Sequence, residues 1–406
     1  MTTCFNDSEP GERTHVRPQP AATCPALRRR AFRCLALTIG LVLPTTLLAA
    51  PVGIDIDFND NDILATLPAT APVVNDQRST AQQAADMVQR YIHQARTEGD
   101  PRYLGYARAL LDRWPENNMT DRLVVLDATV HQSLHQFQMA RELLSEVVQS
   151  GDRIQRIQAR LTLANLELVQ GNYTAAHTHC EQLASTLPGL ISTSCLAHVQ
   201  ARTGQASTAY ATLLTAIQNA PHPDPTSLIW AEGTLADIAT QLGRPEAGEH
   251  WQKVLTMAPE DLYARAQLAD WLLEQGDTEA VVALTDTYEH VDELAVIRAI
   301  AMKRQNHEGA DQLAARLKGR LDEALWRGNL LHQRDLARYA LDIADEADSA
   351  LQYALSNWQE QREPMDTRLL LRAANRLDDQ AVLNNVRSWL QRHNQQDARY
   401  PDWETP

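Results

Sequence analysis

Leu163-Ala164-Asn165-Leu166-Glu167-Leu168-Val169-Gln170-Gly171 is the stretch on which the fold turns, because its frame of Leu-Ala, six residues and Gly returns three more times. The copies are Leu196-Ala197 to Gly204, Leu235-Ala236 to Gly243 and Leu268-Ala269 to Gly276, set 33, 39 and 33 residues apart. Self-similarity at such a period marks a stack of one supersecondary unit, each copy burying its neighbour's apolar face.

The residues beyond each glycine repeat as well. Ala176 and Pro188 come after the first, Ala209 and Pro221 after the second, Ala247 and Pro259 after the third, and Ala280 after the fourth. Alanine lets two helices approach closely, since a larger side chain would force them apart. Glycine takes the left-handed conformation that ends a first helix, and proline stops the second. This pattern resembles the tetratricopeptide repeat, a helix-turn-helix unit near 34 residues long. The resemblance implies an all-α, right-handed superhelical solenoid of helix-turn-helix repeats. Stretches Tyr91 to Leu104 and Trp358 to Leu371 also resemble a group of exported bacterial repeat proteins.

Working outward, a degenerate hairpin spans about 121–150, with Ala128 in place but His135 where the turn glycine belongs. Before it, Ser79 and Gln82 form a candidate capping box, and Gly99-Asp100-Pro101 turns a first hairpin that ends before Pro115. Repeats thus occupy 79–290. Residues 291–406 read as degenerate helical repeats and a C-terminal tail, with hairpins near 293–327, 331–362 and 366–394. Pro221-His222-Pro223-Asp224-Pro225 is a stiff spacer that predicts a local break in the superhelix.

The N-terminus has a different character. Arg28, Arg29, Arg30 and Arg33 precede the apolar run Cys34 to Leu43, then Pro44 and the small residues Ala49-Ala50. Residues 1–50 therefore read as a signal peptide. An uncleaved anchor is the alternative, against which the run is short and Pro44 interrupts it. Residues 51–78, with Pro51, Pro68 and Pro72 among acids and amides, read as a flexible linker or docking tail. The expected location is periplasmic or secreted, with no transmembrane span in the mature chain.

The formal net charge is −15, and a leader ending at Ala49 removes six arginines but only three acids. Such a domain repels phosphate backbones, which argues against nucleic acid and anionic membrane surfaces. The chain carries no Gly-x-Ser-x-Gly, phosphate loop, His-Glu-x-x-His or Cys-x-x-Cys, so it does not read as an enzyme and no cofactor is expected.

Cys180 and Cys195 are the cysteines left after the leader, and they form a mirrored set with His177 and His198 about Pro188. Three readings compete: a disulfide, favoured by an oxidising compartment; a four-ligand metal site; and two packed thiols beside exposed histidines.

The resemblance to the tetratricopeptide family also implies a binding groove. First helices line the concave face there, and the residue after each small alanine points into it. Here those residues are Asn165, His198, Asp237 and Asp270, with Arg202, Trp230, Tyr263 and Glu274 nearby. A polar row with aromatic anchors suits an extended peptide or partner helix; its alternative is an ordinary solvated helix face. The set that clamps a peptide's terminal carboxylate in some family members is not matched, since Leu161 stands where a cation is wanted. The implied function is an adaptor for a protein or peptide partner in the bacterial envelope. The alternative of a different class is a periplasmic metal-handling protein using His177, Cys180, Cys195 and His198.

Overall fold

The computed structural model describes residues 80–327 and 333–401. The signal-peptide and linker readings, at 1–50 and 51–78, lie outside the described residues.

Helices succeed one another as antiparallel pairs. They are α1 (Ala81–Glu98) with α2 (Arg102–Arg113), α3 (Asp121–Ser133) with α4 (Phe137–Ser150), and α5 (Arg153–Val169) with α6 (Tyr173–Thr186). Next come α7 (Leu190–Gln200) with α8 (Ala206–Asn219), α9 (Pro225–Gln241) with α10 (Glu246–Met257), and α11 (Leu262–Glu274) with α12 (Thr278–Leu284). The array continues through α13 (Asp292–Arg304) with α14 (Ala310–Trp326), α15 (Gln333–Arg338) with α16 (Ala347–Glu360), and α17 (Pro364–Arg376) with α18 (Gln380–His393). Each pair packs on the next, giving a right-handed, all-α solenoid of tetratricopeptide-like hairpins. The capping box stands one residue later than Ser79 and Gln82 suggested, at Thr80 with Gln83.

Every hairpin among the described residues turns through a left-handed residue. Six are Gly99, His135, Gly171, Gly204, Gly243 and Gly276, and the last three are Asn306, Asp345 and Asp378. Histidine at 135 carries φ 58°, so the hairpin that lacked a glycine keeps the same turn. Asn and Asp tolerate this region because their short polar side chains bond locally. The repeat therefore persists to the last hairpin with glycine exchanged for residues of the same conformational licence. Seven of the eight signature alanines do what the spacing required: Ala164 and Ala197 are 2% exposed, and Ala236, Ala269, Ala176, Ala209 and Ala247 are wholly buried, while Ala280 in the fourth unit is half-buried.

The proline spacer does not break the array. Asp224 caps α9 by accepting from the Ser227 amide at 2.9 Å, and Pro225 occupies the first turn, where no amide hydrogen is needed. One apolar cluster runs across the spacer, from Ala197, Ala209 and Leu213 to Ala231, Leu235 and Ile238.

The solenoid does not stay open. The α15 to α18 hairpins share a core with α5 to α7, in which Leu168, Tyr173, Cys180 and Val199 meet Trp358, Leu370, Val386 and Trp389. Tyr173 lies 5.9 Å from Trp389 and 5.2 Å from His393, ring centre to ring centre. The Arg362 amide donates to the Val169 carbonyl at 2.7 Å. At the other end, Gly99 fits against Val291 and Leu262 so closely that a Cβ there would stand 2.6 Å from Val291. Early turns thus pack on late hairpins, and the concave face is turned inward.

Candidate functional site

The concave face carries a row of buried charge. Arg202 on the wide turn after α7 is 3% exposed, and its Nη2 donates to Asp237 Oδ2 at 2.5 Å. Its Nη1 donates to Gln241. His198, one turn earlier, places Nε2 2.5 Å from the same Asp237 oxygen. Burial alone would raise the Asp237 carboxyl, but Arg202 and His198 beside it hold it far below the ordinary range. One repeat on, Asp270 bonds Arg338 at 2.6 Å, and Glu274 pairs with Arg368. Further along, Arg334 bonds Asp366 at 2.6 Å and Glu363 at 2.7 Å. Glu293 lies among these groups, and burial together with Asp335 pushes its carboxyl up to about 7.

The chain's own C-terminal segment fills part of this face. Beyond α18, Asn394 takes a left-handed φ of 51°, and the chain runs on without helix along the repeat turns to a turn closed by the Tyr400 amide and the Asp397 carbonyl at 3.0 Å. Gln395 and Asp397 are buried while Gln396 and Ala398 are exposed, so alternate side chains of this strap face the repeats. Tyr173 Oη donates to Gln395 at 2.9 Å. Gln241 holds the strap's backbone from both sides: its Nε2 donates to the Gln396 carbonyl at 2.7 Å, and its own carbonyl accepts from the Ala398 amide at 2.9 Å. A Cβ at Gly204 would stand 2.9 Å from Asn394, and one at Gly243 would stand 2.9 Å from Ala398, so side chains there would lift the strap. Arg399 grips Asp397 through Nε and Nη2 at 2.8 and 2.7 Å and reaches Glu274 at 3.8 Å.

Of the residues expected in a groove, His198, Arg202 and Asp237 come together in one cluster, and Asp270 and Glu274 sit in the next. All five engage partners within the chain. Trp230 is half-buried against the core that joins α5–α7 to the C-terminal hairpins. Tyr263 is 37% exposed and stands edge-on to Trp251 at 6.0 Å. Asn165 is half-buried on α5. Sequence reasoning missed Gln241, Arg338 and Arg399. Gln241 lies four residues after Asp237 and so one turn along the same face, which is the signal that was there to be read.

The four residues considered for a metal do not converge. Cys180 and Cys195 are bonded to each other, with Cα atoms 5.5 Å apart, and sulfurs so joined are not thiolate ligands. His177 pairs with Glu181 at 3.4 Å on the surface, and His198 is turned to Asp237. Among the described residues no group of three His, Cys, Asp or Glu could hold a metal ion. Nor is any described helix long and apolar enough to cross a membrane.

No family model matches the chain, and no curated protein matches it. Solved structures give distant likenesses. A Rap protein complexed with competence and sporulation factor is 11% identical over 77% of this chain and 97% of that one, with TM-score 0.46. A signal-transduction ATPase of Pyrococcus horikoshii with a tetratricopeptide repeat sensor is 14% identical over 76% and 50%, at 0.39. Yeast Tom70 is 10% identical over 78% and 85%, at 0.34. Likeness at this level carries no functional inference, and the assignment as a tetratricopeptide-like solenoid stands on the chain's own hairpins.

Proposed function

We propose that this protein is an exported, non-enzymatic scaffold of the bacterial envelope that binds extended polypeptide along the inner edge of its repeats. The observation that supports this reading is the two-sided hold of Gln241 on the strap backbone, because main-chain bonds of that kind accept any extended peptide while adjacent pockets select side chains. In the isolated chain the occupant is residues 394–401; a partner segment of similar chemistry would replace it or extend its line. Export rests on the basic, apolar and small residues of 1–50.

The test is binding in trans. A variant ending at His393, checked for helix content and a cooperative melt, should bind a labelled peptide of residues 394–401, whereas the full chain should not. A folded truncated form that ignores the peptide would remove the groove from the proposal. Affinity capture from envelope extract with the same two baits then asks for a partner held better by the truncated form. Sequencing the N-terminus of protein from the periplasmic fraction should find a start at Ala50 or Pro51.

A further inference from the structure

Where the strap meets α11, α13, α15 and α17, two cavities of about 600 and 280 Å³ adjoin and share Asp342, Arg368, Arg372 and Arg399 on their walls. The inner one is lined by five arginines, the others being Arg304 and Arg338, against three carboxylates, Asp270, Glu274 and Asp342. Even with Asp397, which holds Arg399 from the strap, the lining keeps an excess of positive charge. This occurs in a chain of net charge −15, so it does not derive from bulk composition.

Two arginines have unused donors. Arg338 is 6% exposed, and while Nη2 bonds Asp270, its buried Nη1 has no hydrogen-bond partner. A buried guanidinium nitrogen left unpaired is costly, and such groups are normally satisfied by protein, water or ligand. Arg304 gives one bond to the Leu273 carbonyl at 2.9 Å and meets no carboxylate among the described residues. The guanidiniums also crowd one another: burial, then the charges of Arg399 and Arg372, bring Arg368 down to about 10.

We propose that this cleft binds a small polyvalent oxyanion, a molecule bearing phosphate or clustered carboxylate groups, with Arg304 and Arg338 donating to its oxygens and Arg372, whose terminal nitrogens donate to Asp342 in the unliganded chain, sharing its fork with the anion. Planar guanidinium forks match both kinds of oxyanion. The inner cavity takes the charged group, and the outer one, which opens toward the exposed Arg376 and Asp345 pair, takes the rest of the molecule. Arg399 belongs to the strap, so a bound anion also holds the strap in place. The cleft needs the strap in place, because Arg399 and Pro401 form part of its walls, and the calorimetry is done on the full chain for that reason.

The experiment is titration calorimetry on the full chain with pyrophosphate and with citrate, each at constant ionic strength. Saturable, one-to-one binding of either is expected; pyrophosphate alone would assign a phosphate ligand, and citrate alone a carboxylate. Arg304→Gln, an exposed substitution, should weaken binding roughly tenfold, the loss of about one charged hydrogen bond. Asp342→Asn removes a competing carboxylate and should tighten it several-fold. Absence of binding by both anions at 10 mM, or affinity that neither substitution moves, would overturn the proposal.

Discussion

Asp237→Ala is the perturbation that most directly tests how the concave face is built. In the native chain Asp237 is 9% exposed and accepts from Arg202, with His198 Nε2 also 2.5 Å from its Oδ2, while Arg202 is 3% exposed and otherwise donates to Gln241. Truncation leaves the Arg202 guanidinium buried without the carboxylate it bonds, with Glu363 the remaining negative charge acting on it. Breaking a buried pair from one side costs about 3 to 5 kcal/mol, whereas replacing both members by apolar residues of similar volume is often close to neutral. We therefore expect a loss of about 4 kcal/mol for Asp237→Ala, and much less for the Arg202→Met/Asp237→Leu pair. Urea unfolding at pH 7, completed as a double-mutant cycle with Arg202→Met, reads both. The sign against pH is fixed as well. The carboxyl is held below its ordinary value of 3.8, so its stabilisation is complete above that value and fades as acid approaches the lower folded pKa. A single-variant loss under about 1 kcal/mol would mean that water already compensates the pair, and the inward-turned face would be refuted.

The same chemistry sets two other outcomes. Glu293 stands at about 7 against an ordinary 4.5, so its folded-state penalty is absent below pH 4.5, grows through the interval and is complete above 7; Glu293→Gln should add up to ~3 kcal/mol at pH 8 and nothing at pH 4, measured by urea midpoints. Cys180 and Cys195 close a loop of 15 residues between α6 and α7; reduction should cost about 3 kcal/mol by loop entropy, and thiol titration of denatured, unreduced protein spanning residues 51–406 should find almost no free thiol.

The fold was legible wherever it depends on residues close in sequence. Leu-Ala followed by Gly states a close helix contact and a left-handed turn within nine residues, and that local chemistry is enough to assign a hairpin. The signal fades after Gly276 because glycine no longer marks the turns, while Asn306, Asp345 and Asp378 supply the same backbone conformation by another route. Pro221 to Pro225 misled for a related reason. Prolines stiffen a linker, but Asp224-Pro225 is also a helix start, and that local role is the one the chain uses.

Closure was not legible, and it decides what the concave residues do. Tyr173 and Gln395 are 222 residues apart, and Gln241 and Gln396 are 155 apart; no periodic pattern links them. A reader of the sequence can place His198, Asp237 and Asp270 on one face, since each comes directly after a repeat alanine, yet cannot see that Arg338 and Arg399 arrive from later hairpins to meet that face. In an open solenoid those acids would be solvated and free for a partner, and reversing two of them would probe binding alone. Once the face is turned inward, the same reversal sets a lysine against Arg202 or Arg338 in a buried site and probes stability instead. The exposed residues at the mouth of the arginine cleft, Arg304 and Arg376, are where the proposed anion binding can be tested while the buried pairs are kept.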